Sequence, residues 1–243
     1  MTMDRRRLMV SAAGLAIGAT TTARLLPEEM RLRDRRPLRS RVAIVSADEY
    51  SECLVGLLMP ALQDFHLRLS GNSVLLKPNL VEYIEGVEVN TNPVLVAAAA
   101  EAFLKLGAKS VVVGEGPGHQ RDTYLVLAEC GLADQLYGQK ISFVDLNRDH
   151  LVKVPTRATY TGLEHLWLPR TVLEADLVVS MPKIKTHHWA GVTLSMKNMF
   201  GVVPGAKYGW PKNVLHWKGI HRSILDICAT VPMHFVIADG IVA

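Results

Sequence analysis

From Arg41 onward, short apolar runs rich in β-branched residues alternate with longer stretches whose apolar residues recur at helical spacing. This alternation constrains the fold more than any other feature, because strands that are apolar throughout must be covered on both faces, as in a parallel sheet between two helical layers. Strands are predicted over residues 41–46, 73–77, 109–114, 141–146, 176–181 and 234–238, the last as a central strand. Helices are predicted over residues 51–69, 93–106, 122–130 and 220–229. The first carries Leu54, Leu57, Leu58, Ala61, Leu62 and Phe65 on one face, and the second opens on Pro93 and closes at Gly107. The expected architecture is an open, mostly parallel α/β sheet with helices on both faces, three layers deep. Residues 150–170, with Tyr160, Thr161, Leu166 and Trp167 in strand-like company, are expected to add a small antiparallel piece at one edge. With 49% apolar and 21% charged residues among 243, the chain has ample material for such a core.

The net charge of +4 is unevenly placed: residues 1–41 hold ten arginines against four acids, and the remainder holds 17 basic and 19 acidic side chains. The domain is therefore mildly acidic, which argues against nucleic acid as a partner. At the start, Arg5, Arg6 and Arg7 precede a weakly apolar stretch and then small residues up to Ala23, the layout of an export signal. The adjacent arginines followed by Leu8 and Met9 resemble a twin-arginine signal. Residues 1–23 are thus expected to be an export signal, 24–40 a basic linker and 41–243 the α/β domain. The implied partner is the twin-arginine translocation machinery and the implied location the periplasm, with membrane association only if the signal stays uncleaved. The apolar stretch is too short to span a bilayer, so no stable membrane span is expected after processing. The chain stops soon after a strand and the Asp239-Gly240 turn, and the domain is expected to be incomplete there.

Ligands of open parallel sheets collect outside the carboxyl ends of the strands. Those ends read Lys77-Pro78-Asn79, Gly114-Glu115-Gly116-Pro117-Gly118-His119, Asp145-Leu146-Asn147, residues 182–188, and Asp239-Gly240, so polar groups converge on one rim. Between Asp176 and Asp226 lie 49 residues without a single Asp or Glu, among them Lys183, Lys185, Lys197, Lys207, Lys212, Lys218, Arg222 and four histidines. Basic heads with five glycines and no competing carboxylate suit an anion. Lys77, Lys183, Lys185 and Lys197 are expected to line one cleft, facing Glu115 or Asp239. Residues 191–201 are read as a helix that buries Val192, Met196, Met199 and Phe200 and offers Lys197 and Asn198 to a ligand.

Other motifs fail. The glycines after residue 113 lack the third glycine of the dinucleotide fingerprint, and there is no Walker A, G-x-S-x-G or H-E-x-x-H sequence. Cys53, Cys130 and Cys228 are too scattered to encode an iron–sulfur cluster or a zinc ribbon within this chain. No metal site is assigned, although one assembled from the distant His119, His187, Glu115 and Asp239 stays open.

The runs Leu76-Lys77-Pro78-Asn79, Thr91-Asn92-Pro93, Gly114-Glu115, Met181 through His187, and Gly191 through Gly205 resemble the domain of unknown function 362 family, in the right order, over residues 74–243. The resemblance implies a shared fold and site but no settled reaction. Some relatives carry ferredoxin-like cysteine clusters that are missing here, and members continue past the Asp-Gly turn into a glycine-rich acidic segment. The shared polar set implied is Lys77, Asn79, Thr91, Glu115, Lys183, Lys185, Thr186, His187, Lys197, Asn198, Lys207, His216 and Asp239. Chemistry assigns Lys183, Lys185 and Lys197 to holding an anion and Glu115, His187 and Asp239 to moving protons, with the other members of the set as ligand contacts. Two functions follow. One is an exported protein that binds a carboxylate or phosphate compound or cofactor, with enzymatic acid/base or redox chemistry open. The other is a non-catalytic cofactor-binding or maturation protein serving an iron–sulfur or other redox partner.

Overall fold

The structure is a computed structural model that describes residues 40–118, 122–210 and 212–242. The proposed signal, nearly all of the linker and His119 lie outside the described residues. Its compact unit is Ile44–Ala243.

Five parallel strands form the central sheet: β1 (Ser73–Pro78), β2 (Ser110–Glu115), β3 (Ser142–Asp145), β6 (Leu177–Met181) and β9 (Phe235–Val236), in the order β3-β2-β1-β6-β9. Alternation along the strands sends Val74, Leu76, Val111, Val113 and Val179 into one core and Leu75 and Val178 into the other. The first core is covered by α1 (Leu54–Asp64), α2 (Pro93–Lys105), α3 (Thr123–Glu129) and α4 (Leu132–Gln139). The second is covered by α8 (Ile220–Thr230), α7 (Asn213–Trp217), α5 (Arg170–Glu174) and the hairpin of β4 (Leu151–Pro155) and β5 (His165–Pro169). The protein is therefore the expected three-layer α/β/α sandwich.

Local chemistry sets the helix ends. At α2 the Asn92 side chain accepts from the Val94 N–H at 3.0 Å, Pro93 takes the first turn, and Gly107 leaves at φ +97°. At α3 the Asp122 carboxylate caps the Tyr124 and Leu125 N–H groups at 2.9 and 3.0 Å.

Three sequence expectations are corrected. Residues 41–46 form no strand; they join neither edge of the sheet, and Val42 and Ile44 are exposed. The strand at 234–238 shrinks to two residues at the sheet edge rather than its centre, with Phe235 set edge-on against Phe65 at 4.9 Å. The stretch 191–201 is not one helix. It begins as β8 (Gly191–Thr193), antiparallel to β7 (Lys185–His187), and only then turns into the single-turn α6 (Ser195–Asn198) and the 3-10 turn Met199–Val202. Val192 and Met196 are exposed, and only Met199 and Phe200 enter the core. The physical reason is the three-residue turn 188–190 followed by Gly191 at φ +76°, a hairpin connection that reverses the chain where a helix would have continued it. The antiparallel pair β4–β5 exists as expected, but as a separate sheet packed on the second core rather than an extension of the main one.

Candidate functional site

The strand order reverses direction between β1 and β6, and the crevice above that point is where an open sheet offers a ligand site. Thr91 ties its two sides together: its hydroxyl donates to the Met181 carbonyl at 2.6 Å and accepts from the Asn79 N–H at 2.8 Å. The Asn79 Oδ1 is buried without a partner among the described residues.

The floor of the crevice is an ion pair. Lys77, at the end of β1, and Glu115, at the end of β2, are 0% and 1% exposed, and the Lys77 ammonium donates to Glu115 Oε2, to the Pro78 carbonyl at 2.8 Å and to Asn198 Oδ1 at 3.0 Å. All three ammonium protons are thereby engaged. Glu115 also accepts from the Gly116 and Leu80 N–H groups at 2.8 and 3.3 Å. Asn198 completes the frame by donating to the Lys77 carbonyl and to Ser180 Oγ, both at 3.0 Å. Burial pulls the Lys77 ammonium below its ordinary value, and Glu115 opposes that pull. Gly201 makes the assembly possible, since a Cβ there would lie 2.2 Å from Glu115 Oε1 and 2.6 Å from Lys77 Nζ.

Above this floor stands the β7–β8 hairpin. Lys185 pairs with Thr193 and His187 with Gly191, so Lys185, His187 and Thr193 occupy one face and Thr186 the other, where it is exposed. Lys185 donates to the Val89 carbonyl. Lys197 follows on α6, half-buried, with its ammonium 5.4 Å from the centre of the Phe200 ring and no hydrogen-bond partner among the described residues. Burial, then the neighbouring Lys197, brings Lys185 down to about 8; burial, then Lys77, brings Lys197 down to about 8. Glu82 and Glu115 offset this for Lys185, and Glu115 for Lys197, only in part, and Glu115 is already paired with Lys77. The Thr193 hydroxyl on the same face is 2% exposed and also lacks a partner among the described residues.

His187 is a neutral donor here. The Trp189 and Ala190 N–H groups both point at its Nδ1, at 3.1 Å each, so Nδ1 accepts and the ring proton sits on Nε2. Burial, then Lys197, lowers its pKa to about 4, which keeps it uncharged at neutral pH.

A second cluster holds Lys183 and Asp239. Asp239 accepts from the Tyr50 hydroxyl at 2.6 Å, the Asn92 N–H at 2.9 Å and Lys183 at 3.4 Å, while Lys183 also reaches Tyr50 at 2.7 Å and Glu88 at 3.3 Å. This cluster pins the 237–242 segment to the ends of β6 and α2. A depression of about 310 Å³ lies beside it, bordered by Glu88 and Thr91 but by none of the lysines, so the positive charge is not concentrated there. Lys207 is exposed and stands over the Trp167 ring at 4.5 Å, apart from both clusters. His216 packs against Trp189 and Phe200 at 4.9 and 5.1 Å, at the margin of the Lys197 group.

The family model described as "Domain of unknown function (DUF362)" matches residues 74–243, which contain every one of these groups except Tyr50. The chain belongs to the DUF362 family. A thylakoid-associated protein of Synechocystis sp. is 32% identical over 143 residues, covering 58% of this chain and 42% of that protein, so the chain spans about two fifths of that relative's length. A crystal structure of a protein from Thermotoga maritima superposes with a TM-score of 0.53 at 12% identity, over 81% of this chain and 52% of that one, and shares the fold.

Two residues of the candidate site were not assigned to it from sequence. Lys212 is buried at φ +66° and donates to the Gly116, Phe200 and Gly201 carbonyls at 3.0, 3.1 and 3.4 Å, which locks the strand-end loop of β2 against the 3-10 turn; burial brings it down to about 7. Thr193 is the other. Its signal was the even spacing of a hairpin face, masked by the helix reading of the same stretch. Among the described residues no group of three or more His, Cys, Asp or Glu is arranged to hold a metal ion, and no helix is long and apolar enough to cross a membrane.

Proposed function

We propose that this DUF362 protein binds an anionic small molecule or cofactor, a carboxylate or phosphate, at the Lys185, Lys197 and His187 group, with Thr193 beside it. The carrying observation is Lys197: a desolvated ammonium held over the ion-pair floor, surrounded by other lysines and with no hydrogen-bond acceptor among the described residues. An anion supplies the missing charge and acceptors at once. Lys77, Lys183 and Lys212 are saturated by the protein's own acceptors and serve to shape the site.

Binding is favoured over proton transfer because the three acid/base candidates are otherwise engaged. Glu115 is locked to Lys77, Asp239 is shared by Tyr50, Asn92 and Lys183, and His187 presents an N–H rather than a lone pair. This supports a cofactor-holding role, with His187 and the lysines able to stabilise negative charge on whatever is bound. Export through the twin-arginine route belongs to the same proposal and rests on residues 1–23. The thylakoid association of the Synechocystis relative supports a working place beside a membrane.

Isothermal titration with sulfate and with inorganic phosphate tests the reading. Both should bind the wild-type protein, and Lys197→Ala should weaken them by about 1.5–3 kcal/mol, the range for a charge-assisted hydrogen bond. Absence of binding, or unchanged binding to the variant, would overturn it.

A further inference from the structure

An unbroken set of ring contacts borders the anion group. His187 stacks on His188 with centroids 4.8 Å apart and planes 9° apart, His188 meets Trp189 at 4.7 Å, Trp189 meets His216 at 4.9 Å, and His216 meets Phe200 at 5.1 Å. Phe200 in turn lies under the ammonium groups of Lys197 and Lys212 at 5.4 and 5.8 Å. The rings therefore begin and end at the residues that bear the anion site. Trp189 is nevertheless 52% exposed, at the tip of the hairpin whose inner face carries Lys185 and His187. A large aromatic side chain held at a fixed angle by a neighbour, yet left half open to water near a group that includes the acceptor-free Lys197 ammonium, is suited to receiving a flat ring.

Resting on the anion reading, we infer that the ligand is a planar aromatic anion, its acidic group on Lys185, Lys197 and His187 and its ring against Trp189 and the histidine ring beside it. Phosphate and carboxylate are both compatible with the donor set, which combines point charges with neutral N–H and O–H groups. The ring is what the aromatic border selects, because stacking tolerates any flat π-face whereas a saturated group of equal charge gains only the ammonium contacts.

Matched pairs of probes on the full chain decide the matter: adenosine monophosphate against ribose 5-phosphate, and benzoate against cyclohexanecarboxylate, with sulfate as the common reference. In at least one pair the ring-bearing member should bind tenfold tighter or more, and the pair that shows it names the acidic group. Trp189→Ala should bring that ratio close to one while leaving sulfate affinity as it was, and Trp189→Phe should retain most of the preference. Equal affinities within both pairs, alongside normal sulfate binding, would overturn the aromatic inference and leave the anion reading standing. Failure of sulfate and all four probes to bind would overturn both.

Discussion

Lys77 and Glu115 project from the adjacent parallel strands β1 and β2 and close a fully buried ion pair whose third corner is Asn198, 121 residues beyond Lys77 in the chain. The pair is the structural foundation of the site, because Asn198 is held by it and Lys197 is the next residue back. Two charges taken out of water are tolerated only when each is matched and hydrogen-bonded, and here four protein groups besides the partners themselves supply those bonds: the Pro78 carbonyl and Asn198 Oδ1 to the ammonium, and the Leu80 and Gly116 N–H groups to the carboxylate.

Glu115→Gln should therefore be strongly destabilising, since it leaves the Lys77 ammonium buried without its counter-charge. The expected loss is about 3–5 kcal/mol in urea unfolding, and the double variant Lys77→Met with Glu115→Gln should recover much of it by removing the stranded charge. A loss below about 1 kcal/mol would be the behaviour of a solvated surface pair and would contradict the buried geometry.

Gly201→Ala probes the same foundation from the other side. The added methyl falls within 2.2 Å of Glu115 Oε1, which accepts from the Gly116 N–H, and 2.6 Å of Lys77 Nζ, which is bonded to the other carboxylate oxygen, so neither group can yield without disturbing the pair. Overpacking of this kind costs about 1–3 kcal/mol. Thermal unfolding measures it, and a neutral result would show that the 3-10 turn moves freely over the floor.

The pH dependence follows from Lys185 and Lys197, both at about 8. Below that value they are charged and attract an anion, and above it they are neutral. Sulfate, whose charge is constant over the range, should bind with steady affinity near pH 6–7 and lose it progressively as pH rises through about 8. The stability of the unliganded protein should move the opposite way. These lysines ionise near their ordinary value of about 10.4 when unfolded, so between about 8 and 10 the unfolded chain binds more protons, and their contribution raises stability with pH. Saturating sulfate should reduce that slope by raising the folded-state values. Sulfate affinity that is flat up to pH 10 would remove these two ammonium groups from the site.

Replacing Arg5, Arg6 and Arg7 with lysine should stop passage of a reporter that requires folded export, when residues 1–41 are fused ahead of it. Fractionation of the periplasm checks this, and unchanged export in cells lacking the twin-arginine machinery would refute the proposed route.

The layered fold was legible because it depends on short-range regularities. β1, β2, β3 and β6 are strands of four to six residues built on apolar runs with polar ends, and a run of that kind has no stable place except between two covering layers. Asn92-Pro93 and Gly107 likewise announce α2 through local backbone preference. The acid-free stretch after Asp176 pointed to Lys185 and Lys197 for a related reason, since a concentration of unpaired like charge is visible in composition before any folding. Which lysines remain available was decided only in three dimensions. Lys77, Lys183 and Lys212 look no different in sequence from Lys185 and Lys197, yet the first three are saturated by carbonyls, carboxylates and Tyr50 drawn from distant segments. The hairpin at 185–193 was obscured because Val192, Met196, Met199 and Phe200 sit at helical spacing, and the periodicity of a short apolar set does not reveal the reversal forced by a turn and one glycine at positive φ. Burial and hydrogen-bond saturation are properties of surroundings assembled by long-range contacts, and the residues flanking a lysine in the chain carry almost no information about them.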